Sequence, residues 1–393
     1  MKPIASQQDK SRIMDFSYTK EQENSRQSIV EFIQTDVNPK IKIPGDPTSF
    51  DRHLWRACAR HGLLSLGMPS PWSDAIDSSL LHMVIALEAA GYACIDNGLP
   101  FALTTQVCTV QQTILSHGTK DQKSQYLPGS INGELIGCHA MTELEAGSDS
   151  GNIGLVASRC SGGYRLSGEK VMIGLAPVAD YCVMFATVDA SAGRWGVTAF
   201  LINTNSQGFQ VSPPAKKLGL DSAPMARLTL DDCFVADHCR LGPEGAGASI
   251  AHHSLELERT CILASQVGRM QRQLEQALEH ARRRKQFDQS IIEFQAVSHR
   301  LADMKLRLET ARLLLYKTAW KYDQDQSTVL ESSMLKLLIS ESFLASSMDS
   351  MRIHGGYSYI EEHAAGRDTR DALGGVLYAG TSDIQRNIIA GLL

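Results

Sequence analysis

The sequence predicts an α+β chain in three consecutive parts: an N-terminal helical domain over residues 1–132, a middle antiparallel β domain over 133–246, and a C-terminal four-helix bundle over 247–393. Three observations lead to it. Apolar residues recur at helical spacing through the first third of the chain. From about Gly133 the runs become short and rich in β-branched and aromatic residues, separated by Gly, Pro, Asn and Asp. After "LGPEGAG" (Leu241 to Gly247) long amphipathic stretches return and continue to the end. A length of 393 residues likewise calls for two or three domains.

The first helix opens in "SYTKEQENSRQSIVEFIQ". Thr19 has Gln22 three residues on, a capping-box pattern, and Ile29, Phe32 and Ile33 follow at helical spacing. "SLLHMVIALEAAGYA" and "FALTTQVCTVQQTILSHG" are two further helices. The strands are read in "GGYRLSGEKVMIG", "YCVMFATVD", "WGVTAFLIN" and "ARLTLDDCFV". "RMQRQLEQALEHARRR", "VSHRLADMKLRLETARLLLYKTAWKY" and "ESSMLKLLISESFLASSMDSMRI" are three long bundle helices, joined by a fourth at the C-terminus.

Composition narrows the function. Hydrophobic content of 43%, with 21% charged residues and a net charge of −5, describes a soluble globular protein without the basic face that nucleic acid requires. No apolar run approaches the roughly 18 residues needed to span a bilayer. The opening "MKPIASQQDKSR" is polar and lacks a signal-peptide core, so the expected location is the cytoplasm. The nine cysteines are scattered, with no CxxC, and read as buried free thiols rather than a metal site or disulfide framework. Neither GxGxxG nor GxxxxGK[ST] occurs, so a dinucleotide would be held by neither a Rossmann crevice nor a P-loop.

Five segments carry chemistry: "AMTELEAGSDSG" (140–151), "GEKVMIG" (168–174), "LELERT" (255–260), "RRKQFDQSIIEFQAVSHRLADM" (283–304) and "RIHGGYSYIEEHAAGRDTRDALGGVLYAGTSDIQRNIIA" (352–390). The first is a turn-rich loop whose Gly147 permits close backbone approach to a ligand. The fourth ends a helix in basic residues, which suit the helix dipole or a pyrophosphate. In the fifth, Gly355 and Gly356 form either a helix C-cap or an anion cradle. Together, in this order, the five segments resemble the acyl-CoA dehydrogenase family of flavoproteins over nearly the whole chain.

That resemblance implies FAD as cofactor. Met141, Thr142, Gly147 and Ser148 would run along the flavin ring, with Met172 on the following strand at a position usually aromatic. Leu144 stands where the family usually has proline, and Gly174 where it has a hydroxyl that reaches flavin N5. Arg284, Phe287 and Gln295 match residues that reach the FAD of a neighbouring subunit, with Asp288 in place of the usual glycine. Arg352, Gly355 and Gly356 would lie against the neighbour's pyrophosphate, and Thr381 and Asp383 near ribityl and adenylate. His354 reads as packing. Sites shared in this way imply a homotetramer or dimer.

Most of the family has a glutamate where Ala379 stands, and that glutamate removes the α-proton of an acyl thioester while hydride leaves the β-carbon. A minority, including isovaleryl- and long-chain acyl-CoA dehydrogenases, supplies the carboxylate from an earlier helix. Here that helix carries Glu256 and Glu258, about 200° apart, so only one can face the pocket. Periodicity does not choose between them; the match of "ER" selects Glu258. Ala379 keeps its backbone N–H as oxyanion donor, and Arg259 is placed near the CoA or phosphopantetheine arm. The late helices also resemble flavoproteins that oxidise prolyl groups on carrier proteins. The implied reaction is therefore α,β-dehydrogenation of an acyl or aminoacyl thioester on a carrier protein, with CoA-linked catabolism as the alternative. Electron-transfer flavoprotein and oxygen are both open as acceptor. An oxidase or monooxygenase, or a non-catalytic carrier-protein scaffold, are the rival readings.

Overall fold

A computed structural model describes residues 17–42, 50–74 and 77–393. The polar opening stretch, and with it the reading that no signal peptide is present, lies outside the described residues. The N-terminal helices are α1 (Lys20–Phe32), α2 (Arg52–Arg60), α3 (Leu80–Ala93), α4 (Gly98–Thr104), α5 (Gln112–His117) and α6 (Lys120–Ile131). The capping box at α1 forms as read: Thr19 Oγ1 accepts from the Gln22 N–H, and the Gln22 side chain accepts from the Thr19 N–H. The helix expected over 101–118 changes pitch in its middle, where a π-helical segment, Thr105–Gln111, joins α4 to α5. It buries Gln106, which accepts from Gly137 N–H at 2.9 Å, and Gln111, which donates to Leu64 O at 2.9 Å. Gln106 thereby ties the helical domain to the start of the sheet, and Gln111 ties the segment to the turn after α2.

The sheet has eight strands: β1 (Gly137–Ala140), β2 (Val156–Cys160), β3 (Gly163–Gly174), β4 (Tyr181–Thr187), β5 (Val197–Asn203), β6 (Phe209–Val211), β7 (Met225–Ala236) and β8 (Arg240–Leu241). Their order is β6-β7-β3-β2-β4-β5-β8, with β1 paired to β4. Most pairs are antiparallel as expected, but β1 and β2 both run parallel to β4. The long excursion between β1 and β4 lets the chain return in the same direction, which a chain of hairpins does not do. The register of β3 against β7 shifts between Lys170 and Ile173, and Met172 sits in this bulge with φ of 57°.

The C-terminal segment consists of α7 (Gly247–Cys261), α8 (Ala264–Arg283), a short hairpin β9 (Lys285–Gln286) and β10 (Gln289–Ser290), α9 (Gln295–Asp323), α10 (Val329–His354), α11 (Ala364–Gly375) and α12 (Ser382–Gly391). Helices α8, α9 and α10 pack on one another, and α7, α11 and α12 pack on α10. The expected single C-terminal helix is thus two short ones, separated by a turn in which Ala379 and Gly380 both have positive φ. Among the described residues no helix is long and apolar enough to cross a membrane. The nine cysteines are unpaired, and seven are buried; Cys160 is exposed and Cys239 half-buried, against the reading that all were interior.

Helix α3 joins the first segment to the bundle by backbone contact with α8. A Cβ on Gly91 would lie 1.9 Å from Ser265 O, and one on Gly268 would lie 1.9 Å from Glu88 O. The Asp323 carboxylate at the end of α9 accepts from Leu80 and Leu81 N–H at 2.7 and 3.0 Å, capping α3. Glu88 in turn accepts from Arg312 and Tyr316 of α9 at 2.8 and 2.7 Å. Gly268→Ala must therefore push two helices apart, and it is expected to cost roughly 3 kcal/mol in chemical denaturation.

Candidate active site

Helix α7 presents its two glutamates to different places. Ile250, Ser254, Leu257 and Cys261 are buried at helical spacing and fix the inward stripe. Ser254 lies 3.3 Å from His139 Nε2 on β1. Glu258, one turn after Ser254, continues that stripe. Glu256 points elsewhere: its carboxylate accepts from Thr328 Oγ1 at 2.8 Å, just before α10. The Glu258 side chain makes no hydrogen bond or ion pair among the described residues. Burial pushes its carboxyl up to about 7, against the pull of Arg259 and Lys336. The residue as a whole is half-buried.

The turn before α12 meets α7 at the neighbouring residue. Arg259 is buried, and its Nε donates to Ala379 O at 3.4 Å. This contact puts the Ala379 backbone beside the helix that carries Glu258. Gln385 of α12 also donates to Ala379 O and to Gly380 O, at 3.2 and 3.0 Å. Ala379 has φ of 53°, a conformation that costs a non-glycine residue about 1 kcal/mol. Among the described residues its N–H donates to nothing. Preceding it, Tyr378 is held by Gln266 Nε2 and stacks at a tilt on Phe101, 4.9 Å between centroids. Lys336 Nζ lies 6.0 Å from the Tyr378 ring centroid.

The loop from Met141 to Ser148 borders β3. Val171 N–H donates to Thr142 O at 2.9 Å, aligning the loop with the bulge that carries Met172. A buried ion pair fixes it from beneath. Lys170 Nζ lies 2.7 Å from Glu143 and 3.0 Å from Met141 O, and Glu143 also accepts from Gly154 and Leu155 N–H at 2.6 and 3.0 Å. Sequence reading passed over both residues. They lie 27 positions apart, and only the sheet brings them together.

The other expected cofactor residues gather at one end of the bundle. Arg284 and Phe287 are exposed on the β9–β10 hairpin, Gln295 opens α9, and Arg352, Gly355 and Gly356 end α10. Phe287 and Asp288 have φ of 52° and 61°, so aspartate keeps the left-handed turn that glycine would give. Gly355 N–H closes α10 by bonding Met351 O, so the anion cradle read from sequence lacks that donor. Arg352 is paired to Asp349 at 3.1 Å, and His354 packs between His280 and His363. No hydrogen bond, ion pair or ring contact joins these residues to the loop at 141–148 or to Ala379 among the described residues. At the second end, Thr381 caps α12 through Ile384 N–H and Asp383 pairs with Arg386 at 2.8 Å, so both have local partners.

Does this surface fit FAD? A Cβ on Gly147, Gly174, Gly355 or Gly356 would meet nothing within 4 Å, so the loop, the strand and the helix end all face open space. Met172 and Phe287 are large apolar side chains left 61% and 88% exposed. Near α12, Ser382 Oγ and Gln385 Oε1 are buried without a partner, as are Arg259 Nη1 and Lys336 Nζ beside Glu258. The residues present fit the group.

A carboxyl of raised pKa near a backbone N–H that has no acceptor is the equipment for taking a proton from carbon beside a carbonyl. The helix–sheet–helix order around it is that of a flavin oxidoreductase acting on a CH–CH bond. Family models for the acyl-CoA dehydrogenase N-terminal, middle and C-terminal domains match residues 19–134, 138–233 and 245–393, and the chain belongs to that family. It is 42% identical to the L-prolyl-(peptidyl-carrier protein) dehydrogenase of Pseudomonas fluorescens, over 87% of this chain and 90% of that one. The enzyme of the same name from a Serratia species is 35% identical over 96% and 97%. Among solved structures, the prolyl acyl carrier protein oxidase AnaB superposes with a TM-score of 0.92 at 37% identity, covering 96% of this chain and 99% of that one. PigA with FAD and proline superposes with a TM-score of 0.90 at 34% identity, over 96% and 99%.

Proposed function

We propose that this protein is an FAD-dependent dehydrogenase that introduces an α,β double bond into an acyl or aminoacyl thioester carried by a carrier protein, with Glu258 as the base. The observation that carries this reading is the contact between Arg259 and Ala379 O, which sets the Glu258 helix against the turn whose N–H has no acceptor. FAD, when bound, accepts the β-hydride. The chain's own residues do the rest. Ala379 N–H polarises the thioester carbonyl, Glu258 takes the α-proton, and the Glu143–Lys170 pair holds the loop that lies along the flavin. Residues 141–148 and 172 are assigned to the cofactor bound by this chain. Those at the bundle end, Arg284, Phe287, Gln295, Arg352 and Gly356, are assigned to a cofactor of a neighbouring copy. Their separation within one chain, and the exposure of Phe287, Tyr357 and Tyr359 there, support a homo-oligomer. Nine unpaired cysteines suit a reducing, cytoplasmic setting.

Carrier-protein substrates rather than CoA esters are favoured by the two prolyl-carrier-protein relatives at 42% and 35% identity. The test is anaerobic flavin bleaching with a panel of aminoacyl-carrier-protein and acyl-CoA thioesters. Bleaching by a prolyl-loaded carrier protein, well ahead of any CoA ester, is expected. Bleaching only by CoA esters would move the protein to the catabolic reading. A second reading, oxygen as electron acceptor, is favoured by the likeness to the AnaB oxidase. Peroxide formed in step with product would establish it.

A further inference from the structure

Lys336 stands out among the charged groups of the bundle. It lies in the first third of α10, and its side chain is fully buried, yet Nζ has no hydrogen-bond partner. A buried ammonium without a partner is costly and is kept only where something compensates it. Its surroundings are those of the site. The ammonium lies 6.0 Å from the Tyr378 ring centroid, Tyr378 precedes Ala379, and α10 packs on the helix that carries Glu258.

We propose that Lys336 is a positioning residue for proton abstraction: its buried, unpartnered ammonium, on the helix packed against α7 and beside the Tyr378 ring, is the counter-charge that keeps Glu258 ready to take the α-proton. The proposal rests on the reading of Glu258 as the base. The groups that face Glu258 are few. Arg259 follows it on α7, Lys336 faces it from α10, and Tyr378 and Cys108 approach from the late turn and the π-helical segment. Tyr378 and Cys108 both stay neutral, because burial raises both. Arg259 already donates to Ala379 O. Lys336 is therefore the cation whose charge has no other hydrogen-bonded use. Its chief competitor is Glu341, which also attracts it but is half exposed and lies 3.9 Å from Arg386.

The signs follow from the charges. Glu258 stands at about 7 with Lys336 present, and burial brings Lys336 down to about 8, so the ammonium persists where the base ionises. Removing the ammonium raises the Glu258 carboxyl further and moves the acid limb of the rate to higher pH. The experiment uses the FAD-loaded enzyme and measures anaerobic flavin bleaching from pH 5.5 to 9 for wild type, Lys336→Met, Lys336→Arg and Glu341→Gln. Carbon-13 NMR of the Glu258 carboxyl, assigned by its loss in Glu258→Gln, follows the same ionisation without turnover. Lys336→Met is expected to move both the limb and the NMR midpoint up by about one unit, which is about tenfold in ionised carboxylate on the acid side. Lys336→Arg keeps the charge and should leave both near wild type; if Lys336→Met does not fold, Lys336→Gln removes the charge in its place, with the same upward move expected. Glu341→Gln should leave the limb in place or lower it. A Lys336→Met enzyme slowed equally at every pH, with the NMR midpoint unmoved, would overturn the proposal. So would a Lys336→Arg enzyme whose limb and midpoint move as far as those of Lys336→Met. If instead Glu258→Gln bleaches normally, it is the base assignment that fails, not the Lys336 coupling alone.

Discussion

Glu258→Gln is expected to retain FAD and to bleach it with a thioester about a thousandfold more slowly than wild type, the share that a positioned general base contributes. The amide keeps the shape of the side chain and cannot take the proton. Because the Glu258 carboxyl stands at about 7, the wild-type rate should climb as pH rises through 7 and level off above it, and the variant should lose that limb. Stability separates this loss from misfolding. A carboxyl held above its ordinary value stabilises the fold only while protonated, so its contribution is full below about 4.5 and is lost as pH rises through 7. The variant carries no such liability. At pH 8 it should melt no lower than wild type, and a clearly lower melting point would mean that the side chain has a structural duty as well.

Lys170→Met is expected to lower stability by roughly 3–5 kcal/mol, the usual consequence of leaving one member of a buried ion pair alone. Lys170 is fully buried and Glu143 nearly so, and three further hydrogen bonds depend on their position. Without the ammonium, Glu143 loses its counter-charge and the loop loses the Lys170 tie to Met141 O, keeping only the Val171–Thr142 backbone bond to β3. The variant should therefore also release FAD more readily, and gel filtration at micromolar protein should give a pale or colourless peak where wild type is yellow. Chemical denaturation reads the stability part separately. A variant that is destabilised but fully yellow would show that the pair serves the fold and not the loop.

Much of this was legible in the residues. The capping box at Thr19 and the strand from Gly163 to Gly174 follow from local chemistry, and local chemistry is what a sequence displays. The combination of Ala379 with a glutamate on an earlier helix was also readable, although helical spacing left Glu256 and Glu258 equal. What sets them apart in the structure is Thr328, 72 residues from Glu256, which donates to that carboxylate. The features that were not legible share this long-range origin. Lys170 and Glu143 read as two ordinary charges in a strand and a loop. Lys336 reads as one more polar residue on an amphipathic helix, and only the packing of α10 among its neighbouring helices makes it a buried cation. The π-helical widening at Thr105–Gln111 and the parallel placement of β1 are likewise set by what lies opposite, namely Gly137 and β4. Thr381 and Asp383, motif residues expected at the cofactor, also have local partners in Ile384 N–H and Arg386.

The most direct measurement compares Glu258→Gln with Glu256→Gln, both loaded with FAD and mixed anaerobically with the same prolyl-carrier-protein thioester. Glu256→Gln should bleach within a few-fold of wild type, since it alters a contact to Thr328 outside the site, while Glu258→Gln should be about a thousandfold slower. Comparable bleaching by the two variants, or the larger loss in Glu256→Gln, would contradict the placement of the base at Glu258.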